Sequence, residues 1–275
     1  MTEKELFTMV GIRPEPATPK KKVSRLKGFP WVSVVLMAVI VLCCLFAEVL
    51  MTKDPSYLDL KNFNIAPNTE FLFGTDTLGR DIFSGIWYGG RISMTVSFIA
   101  VFAITIFGVV LGGISGYFGG AVDGVIMRIC DVLMCLPGFP ILLIIGTLLD
   151  SMGVPSQLRI YYLMAYLTLF SWPGTARLVR GQILSLREQE YMVAAEAMGY
   201  STSRKIFKHL VPNVMPQLIV SMTLSLGSMI LYEASLSYLN MGVRAPYAAW
   251  GTMINIVAED QYILENFFNV WGPPG

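Results

Sequence analysis

The stretch 92-ISMTVSFIAVFAITIFGVVLGGIS-115 runs from end to end without a charged side chain. A helix that crosses the hydrocarbon core of a bilayer needs about 20 consecutive, mostly apolar residues, and this run supplies them. Gly108 and Gly112 inside it and Gly116 just past its end recur at four-residue spacing and share one helical face. Glycines so placed let two helix backbones approach closely, which predicts a packed bundle and nothing narrower.

Four further runs read in the same way. They are Pro30 to Met51, about Gly124 to Leu149, about Ile160 to Leu178 and about Val214 to Leu239. The first meets no charge until Glu48; the second carries Arg128 and Asp131, the third Pro173, the fourth Glu233. The expected fold class is therefore an all-α polytopic membrane protein with about five spans. Composition agrees: 54% of the 275 residues are hydrophobic and 14% are charged, whereas a soluble domain carries about 25% charged residues. Mean hydropathy is +0.59. The apolar residues are bunched into blocks rather than spread at the spacing of a soluble core. The leader 1–29 is long, polar and basic, so 30–51 reads as a retained anchor helix and not a cleaved signal.

Net charge is +1, so no bulk field points to nucleic acid or an acidic substrate. The cations are nevertheless laid out unevenly. Lys4, Arg13, Lys20, Lys21, Lys22, Arg25 and Lys27 crowd the leader, and Arg177, Arg180, Arg187, Arg204, Lys205 and Lys208 lie at and after the end of the Ile160 to Leu178 run. The alternate segments, 52–91, 150–159 and 240–275, are sparse in Lys and Arg. By the positive-inside rule the leader and the 177–212 segment are expected in the cytoplasm.

Cys43, Cys44, Cys130 and Cys135 all sit within apolar runs and read as buried thiols, with no metal or redox spacing. His209 is the single histidine of the chain, which leaves no basis for a His-based metal site. The segment 187-REQEYMVAAEAMGYSTSRKIFKHLVPNVMPQL-218 is too polar to span. Glu190 to Met198 favours helix, Gly199 stops it, and Ser201 or Thr202 is placed to cap a second short helix to Leu210. Pro212 and Pro216 then punctuate the approach to the last run. A helix–glycine–helix hairpin across the mouth of a bundle suits a soluble partner; a merely solvated loop is the plainer alternative.

That loop resembles the coupling motif of binding-protein-dependent ABC importer permeases, written EAA, then glycine, then I-x-L-P. Ala194, Ala195, Gly199 and Pro212 occupy its positions, with Val193, His209 and Val211 as departures. Glu190, Tyr191, His209, Pro212 and Asn213 match the variant of the peptide-importer branch. The stretch 73-FGTDTLGRDIFSGIWYGGRIS-93 resembles the segment before the second span in that branch's C-type permeases. Arg128, Asp131 and Pro137 sit as in its third span, and 233-EASLSYLNMG-242 resembles the end of its fifth.

The resemblance implies a type I ABC importer transmembrane fold, with a permease core over 92–275 and a coupling loop at 187–213. It implies a permease that does no chemistry: catalytic residues none, metal none, and no cofactor in this chain, with ATP and Mg on partner ATPase subunits. The implied partners are two cytoplasmic ATPases, a second permease of B type, an extracytoplasmic substrate-binding protein and the lipid bilayer of a bacterial or archaeal cytoplasmic membrane. Peptides are the expected cargo, with nickel or a metal chelate the alternative. ATPase coupling would fall to Glu190, Tyr191, Ala194, Ala195, Gly199, His209 and Pro212. Ala194 and Ala195 would allow close approach to the ATPase and Pro212 would set the angle of the last span.

A sixth span normally follows a Trp-Gly-Pro-Pro-Gly-like sequence in this family, and Trp271 to Gly275 ends this chain, so truncation is expected. Glu233 is a pathway or gate candidate, or else a structural anchor. Arg128 and Asp131, at i and i+3, are expected to pair with each other. Gly74, Asp76, Gly79, Arg80 and Asp81 read as a turn-rich extracytoplasmic element, a structural staple or else a contact for the binding protein. Tyr247 and Trp250 are candidates for contact with the binding protein, or ordinary interfacial anchors. An ion-driven carrier lacks support because no internal repeat is visible, and a membrane enzyme lacks a nucleophile–base pair or metal cluster.

Overall fold

The computed structural model describes residues 31–59, 61–244 and 247–258. The described residues before 43 and those from 43 onward fall in two separate units. The basic leader lies outside the described residues, as does the whole segment after 258, with its Trp271–Gly275 ending. Among the described residues the architecture is helical throughout, with one isolated bridge, between Thr75 and Asp81.

The helix α1 (Trp31–Leu45) is built from Val, Leu, Met and Ile with no charge, and α2 (Ala47–Leu50) follows after a break at Phe46. The helix α3 (Ile82–Phe118) is 37 residues long. It starts ten positions before the expected span because the Asp81 carboxylate caps it, accepting from the Ser84 amide. Gly119 and Gly120, both at positive φ (68° and 54°), turn the chain into α4 (Gly120–Cys135).

The third run is one sequence block but two helices. Pro137 has no amide hydrogen and holds Leu136 in an extended conformation, so α4 ends there and α5 (Gly138–Ser151) leaves at a 75° bend. The Tyr166 hydroxyl donates to the carbonyl of Gly138 at this break. The helix α6 (Ser156–Arg187) absorbs Pro173 without ending.

After α7 (Glu190–Ala197) comes α8 (Thr202–Lys205), then a single π-turn over Ile206–Leu210, then α9 (Val211–Tyr238). The expected separate helix ending at Leu210 is therefore corrected: Thr202 to Tyr238 is continuous. In the π-turn the Val211 amide donates to Ile206, and Pro212, lacking an N–H, falls where the ladder changes register. The prolines bend nothing sharply enough to end the helix. The helix α10 (Trp250–Ala258) closes the described chain.

By length and composition α3 and the Thr202–Tyr238 helix each suffice to cross a membrane, and the bent α4–α5 pair makes a third. The helices α1 and α6 occupy the two other apolar runs. The former is 15 residues long and the latter has polar ends, so neither meets that measure by itself.

Packing follows the glycines. The face of Gly108, Gly112 and Gly116 lies against α6: a Cβ on Gly112 would sit 2.3 Å from the Ala176 carbonyl oxygen, and one on Gly116 3.0 Å from that of Arg180. Val96, Ala100, Leu163, Leu167, Trp172 and Leu236 fill the main core, while Val179, Ile183, Met192, Leu210, Val214 and Leu218 form a second cluster beside the loop. The outer faces of α3 and α9 stay apolar, with Phe98, Phe102, Leu224 and Leu231 all exposed. Apolar helices exposed in this way match a hydrocarbon solvent and not water.

Candidate functional site

The 187–213 loop takes its shape from three local signals. Gln189 adopts an extended conformation and α7 begins; Gly199 at φ 72° ends it. The Tyr200 amide donates to Ala195 (3.1 Å) and the Gly199 amide to Glu196 (2.9 Å), the paired closure of a left-handed helix stop. No atom crowds a Cβ at Gly199, so its backbone angle, not space, calls for glycine. Ser201 then caps α8, its hydroxyl accepting from the Arg204 amide.

Two faces of α7 differ sharply. Met192 and Ala195 are buried, and Met192 packs with Leu210, Val214 and Ile183. Tyr191, Val193, Ala194 and Met198 face outward, Val193 and Met198 each about 60% exposed (62% and 63%). The expectation that Ala194 and Ala195 both serve close approach to a partner is corrected in one half: Ala195 faces its own bundle, and Ala194 faces out. The outward residues Val193 and Met198 were missed as candidates. Helical spacing carried the signal, since Met192 and Ala195 lie three apart and the others fall off that face.

His209 lies on the π-turn and faces α7. Its ring sits 6.0 Å from that of Tyr200, stacked at 27°, and 6.3 Å from that of Tyr191. Asn213 donates to the His209 carbonyl (2.6 Å) and to the Tyr191 hydroxyl (3.5 Å), and the Arg204 guanidinium lies over the Tyr200 ring at 4.5 Å. The structure thus brings Tyr191, His209 and Asn213 together, with Gly199 forming the turn between them. Glu190 starts α7, and Pro212 lies in the first turn of α9.

The remaining candidates are scattered. Glu233 is fully buried; the Ser237 hydroxyl donates to its Oε1 (2.6 Å) and itself accepts from the Val243 amide (3.1 Å). That chain ties the end of α9 to the following turn, while Glu233 Oε2 is buried without a hydrogen-bond partner. Arg128 and Asp131 do not pair: Arg177 on α6 reaches Asp131, and Arg128 is exposed. The i, i+3 expectation fails because α6 passes close enough for a tertiary ion pair. A second such pair, Arg180 to Asp123, joins α6 to the start of α4 and was not foreseen.

The turn-rich element is folded inward. Arg80 Nε donates to Asp76 (2.8 Å), Thr52 donates to Asp81 (2.7 Å), and a Cβ on Gly79 would collide with Asp59. Gly74 supplies a further positive φ, 79°. Trp250 is also turned inward, its indole donating to the Ile86 carbonyl (3.0 Å) and its ring covering Gly90, while Tyr247 is half-buried. Within the chain, Trp250 thus links α10 to α3. Among the described residues no cluster of His, Cys, Asp or Glu is suited to a metal ion.

Comparison with known proteins bears directly on this arrangement. The family described as binding-protein-dependent transport system inner membrane component matches residues 108–264, more than half of the chain and the whole of the loop. The oligopeptide transport system permease protein of Bacillus subtilis is 39% identical over 222 residues, 81% of this chain and 70% of that one. A dipeptide transport system permease protein of the same organism is 43% identical over 192 residues, 70% of this chain and 58% of its own length. One from Alkalihalophilus pseudofirmus is 34% identical over 256 residues, covering 88% of this chain and 82% of the relative. With its glycine-stopped loop helix set at the foot of apolar helices, the chain belongs to the family of binding-protein-dependent transport system inner membrane components.

Proposed function

We propose that this chain is the permease subunit of an ATP-driven peptide importer and that α7 is the element through which ATPase subunits move it. The observation that carries the reading is the two-faced α7. One face is sealed into the cluster of Met192, Leu210 and Val214, and the other offers Tyr191, Val193, Ala194 and Met198 outward. An eight-residue helix with apolar groups on both sides is understandable if a partner covers the outer one.

On this reading the leader and the 187–213 loop face the cytoplasm, as their Lys and Arg content requires. ATPase subunits close on nucleotide, push on α7, and tilt α6 and α9 through the second cluster. That converts one rigid-body motion into alternating access to the membrane pathway. A second permease completes the pathway, and an extracytoplasmic binding protein supplies cargo. Peptide cargo is supported by relatives named for oligopeptide and dipeptide transport, and nickel is not favoured by those names. ATP and Mg reside on the ATPase subunits.

The test is purification of the tagged chain from its native membranes in mild detergent, followed by mass spectrometry. Recovery of a second permease and ATPase subunits supports the reading. Recovery of the chain alone, where other membrane complexes survive, overturns it.

A further inference from the structure

The π-turn and the ring cluster on it call for an explanation that docking of an ATPase does not provide. His209 does not belong to the outward face of α7. It sits on the other arm of the hairpin, half-buried, with its ring between Tyr191 and Tyr200. Its Nε2 is buried and has no hydrogen-bond partner. A histidine held for its polar edge would have that atom satisfied; one held for its flat face need not. The backbone beneath it is fixed from the same side, since Asn213 reaches both the His209 carbonyl and the Tyr191 hydroxyl.

We propose that His209 is a positioning residue: its ring face clasps α7 to the first turns of the α9 helix, so that the two move as one body. The argument rests on the function proposed above, since it concerns how a push on α7 reaches the membrane. Besides the clasp, α7 is joined to the α9 helix by the glycine-stopped turn, by the Asn213–Tyr191 hydrogen bond (3.5 Å) and by the Lys205–Glu196 ion pair (3.8 Å). The packing of Met192 against Leu210 sets no direction of its own, because apolar packing is not directional. The ring clasp supplies that direction together with the Asn213 bond. The π-turn contributes by presenting the ring: its wider loop lets Leu210 enter the core fully while His209, one residue before, points back at α7.

The test uses the complete importer, with its ATPase subunits and binding protein, in lipid nanodiscs and proteoliposomes. His209→Gln keeps a polar side chain and removes the ring; His209→Phe keeps a ring and removes the nitrogens. The α7 amides of His209→Gln are expected to exchange with solvent about tenfold faster than wild type, while those of α9 beyond Leu218 stay unchanged. Labelled dialanine taken up per ATP hydrolysed falls alongside, and His209→Phe restores both readings. Wild-type exchange and coupling in His209→Gln, or equal loss in both variants, overturns the clasp. Val193→Arg, on the outward face, separates the two ideas. If it leaves ATPase binding and coupling intact, the docking reading fails, while the exchange data still decide the role of His209.

Discussion

Gly112→Ala is the sharpest test of the packing that holds this bundle. An added Cβ would lie 2.3 Å from the Ala176 carbonyl oxygen and 2.9 Å from its Cα. Ordinary van der Waals contact begins near 3.4 Å, so α3 and α6 must separate locally by about 1 Å, or the carbonyl must swing away. Overpacking of that kind costs about 1–3 kcal/mol. Helix propensity acts the other way, favouring alanine by up to about 1 kcal/mol. The expected net is a loss of about 1–2 kcal/mol. The adjacent Gly113→Ala is the internal control, because its Cβ would meet only Ile183 Cδ1, at 3.7 Å. It should be neutral or slightly stabilising. The assay is reversible denaturation of both variants and wild type in bicelles, read by tryptophan fluorescence. Equal stability of Gly112→Ala and Gly113→Ala would refute the claim that α3 meets α6 backbone-to-backbone at this face.

Other outcomes follow from the loop, the anchor and the staple. Val193→Arg should leave folding stability within about 0.5 kcal/mol, as exposed substitutions do, yet lose ATPase subunits in a pull-down; Ala195→Arg should instead destabilise the chain itself, because Ala195 is 1% exposed. Glu233→Gln should transport like wild type, since the amide oxygen can accept from Ser237 as the carboxylate does. Glu233→Ala should lower stability by about 1–3 kcal/mol by leaving Ser237 half-partnered, and failure of Glu233→Gln to transport would give Glu233 a role in the pathway. Asp81→Ala removes the acceptor of Thr52, of the Ser84 hydroxyl and of the Ser84 amide. It should make the 52–60 segment a preferred site of limited proteolysis, with a loss of about 1–2 kcal/mol from the missing helix cap.

Hydrophobic blocks are legible in a sequence because the bilayer imposes them on every residue of a span, and all five blocks became helices. The glycine face of α3 was legible for the same reason: its spacing is a property of one helix. What escaped were features decided between elements. Asp131 chooses Arg177 over Arg128 because of where α6 passes, and nothing local to α4 encodes that. The continuous helix through Pro212 and Pro216 depends on a π-turn, for which IFKHL carries no recognised signature. In the loop, Gly199 and the cap at Ser201 were readable from residue type. Which alanine faced inward required the helix to be docked first.

The wide turn at Ile206–Leu210 gives the distance from Gly199 to Pro212 the character of a ruler. Each residue of an α-helix advances the chain by about 1.5 Å and rotates it by about 100°. The wide turn already absorbs one extra residue, but deleting one from the α-helical stretch before it, Thr202–Lys205, would swing everything that precedes through that angle. The outward side of α7, with Val193 and Met198, would then face a different direction from the bundle. Substitutions such as Val193, His209 and Val211 can drift from the family pattern at small cost while the count of residues is held. Natural variation in this hairpin should accordingly consist of exchanges, with insertions and deletions confined to segments outside 199–212.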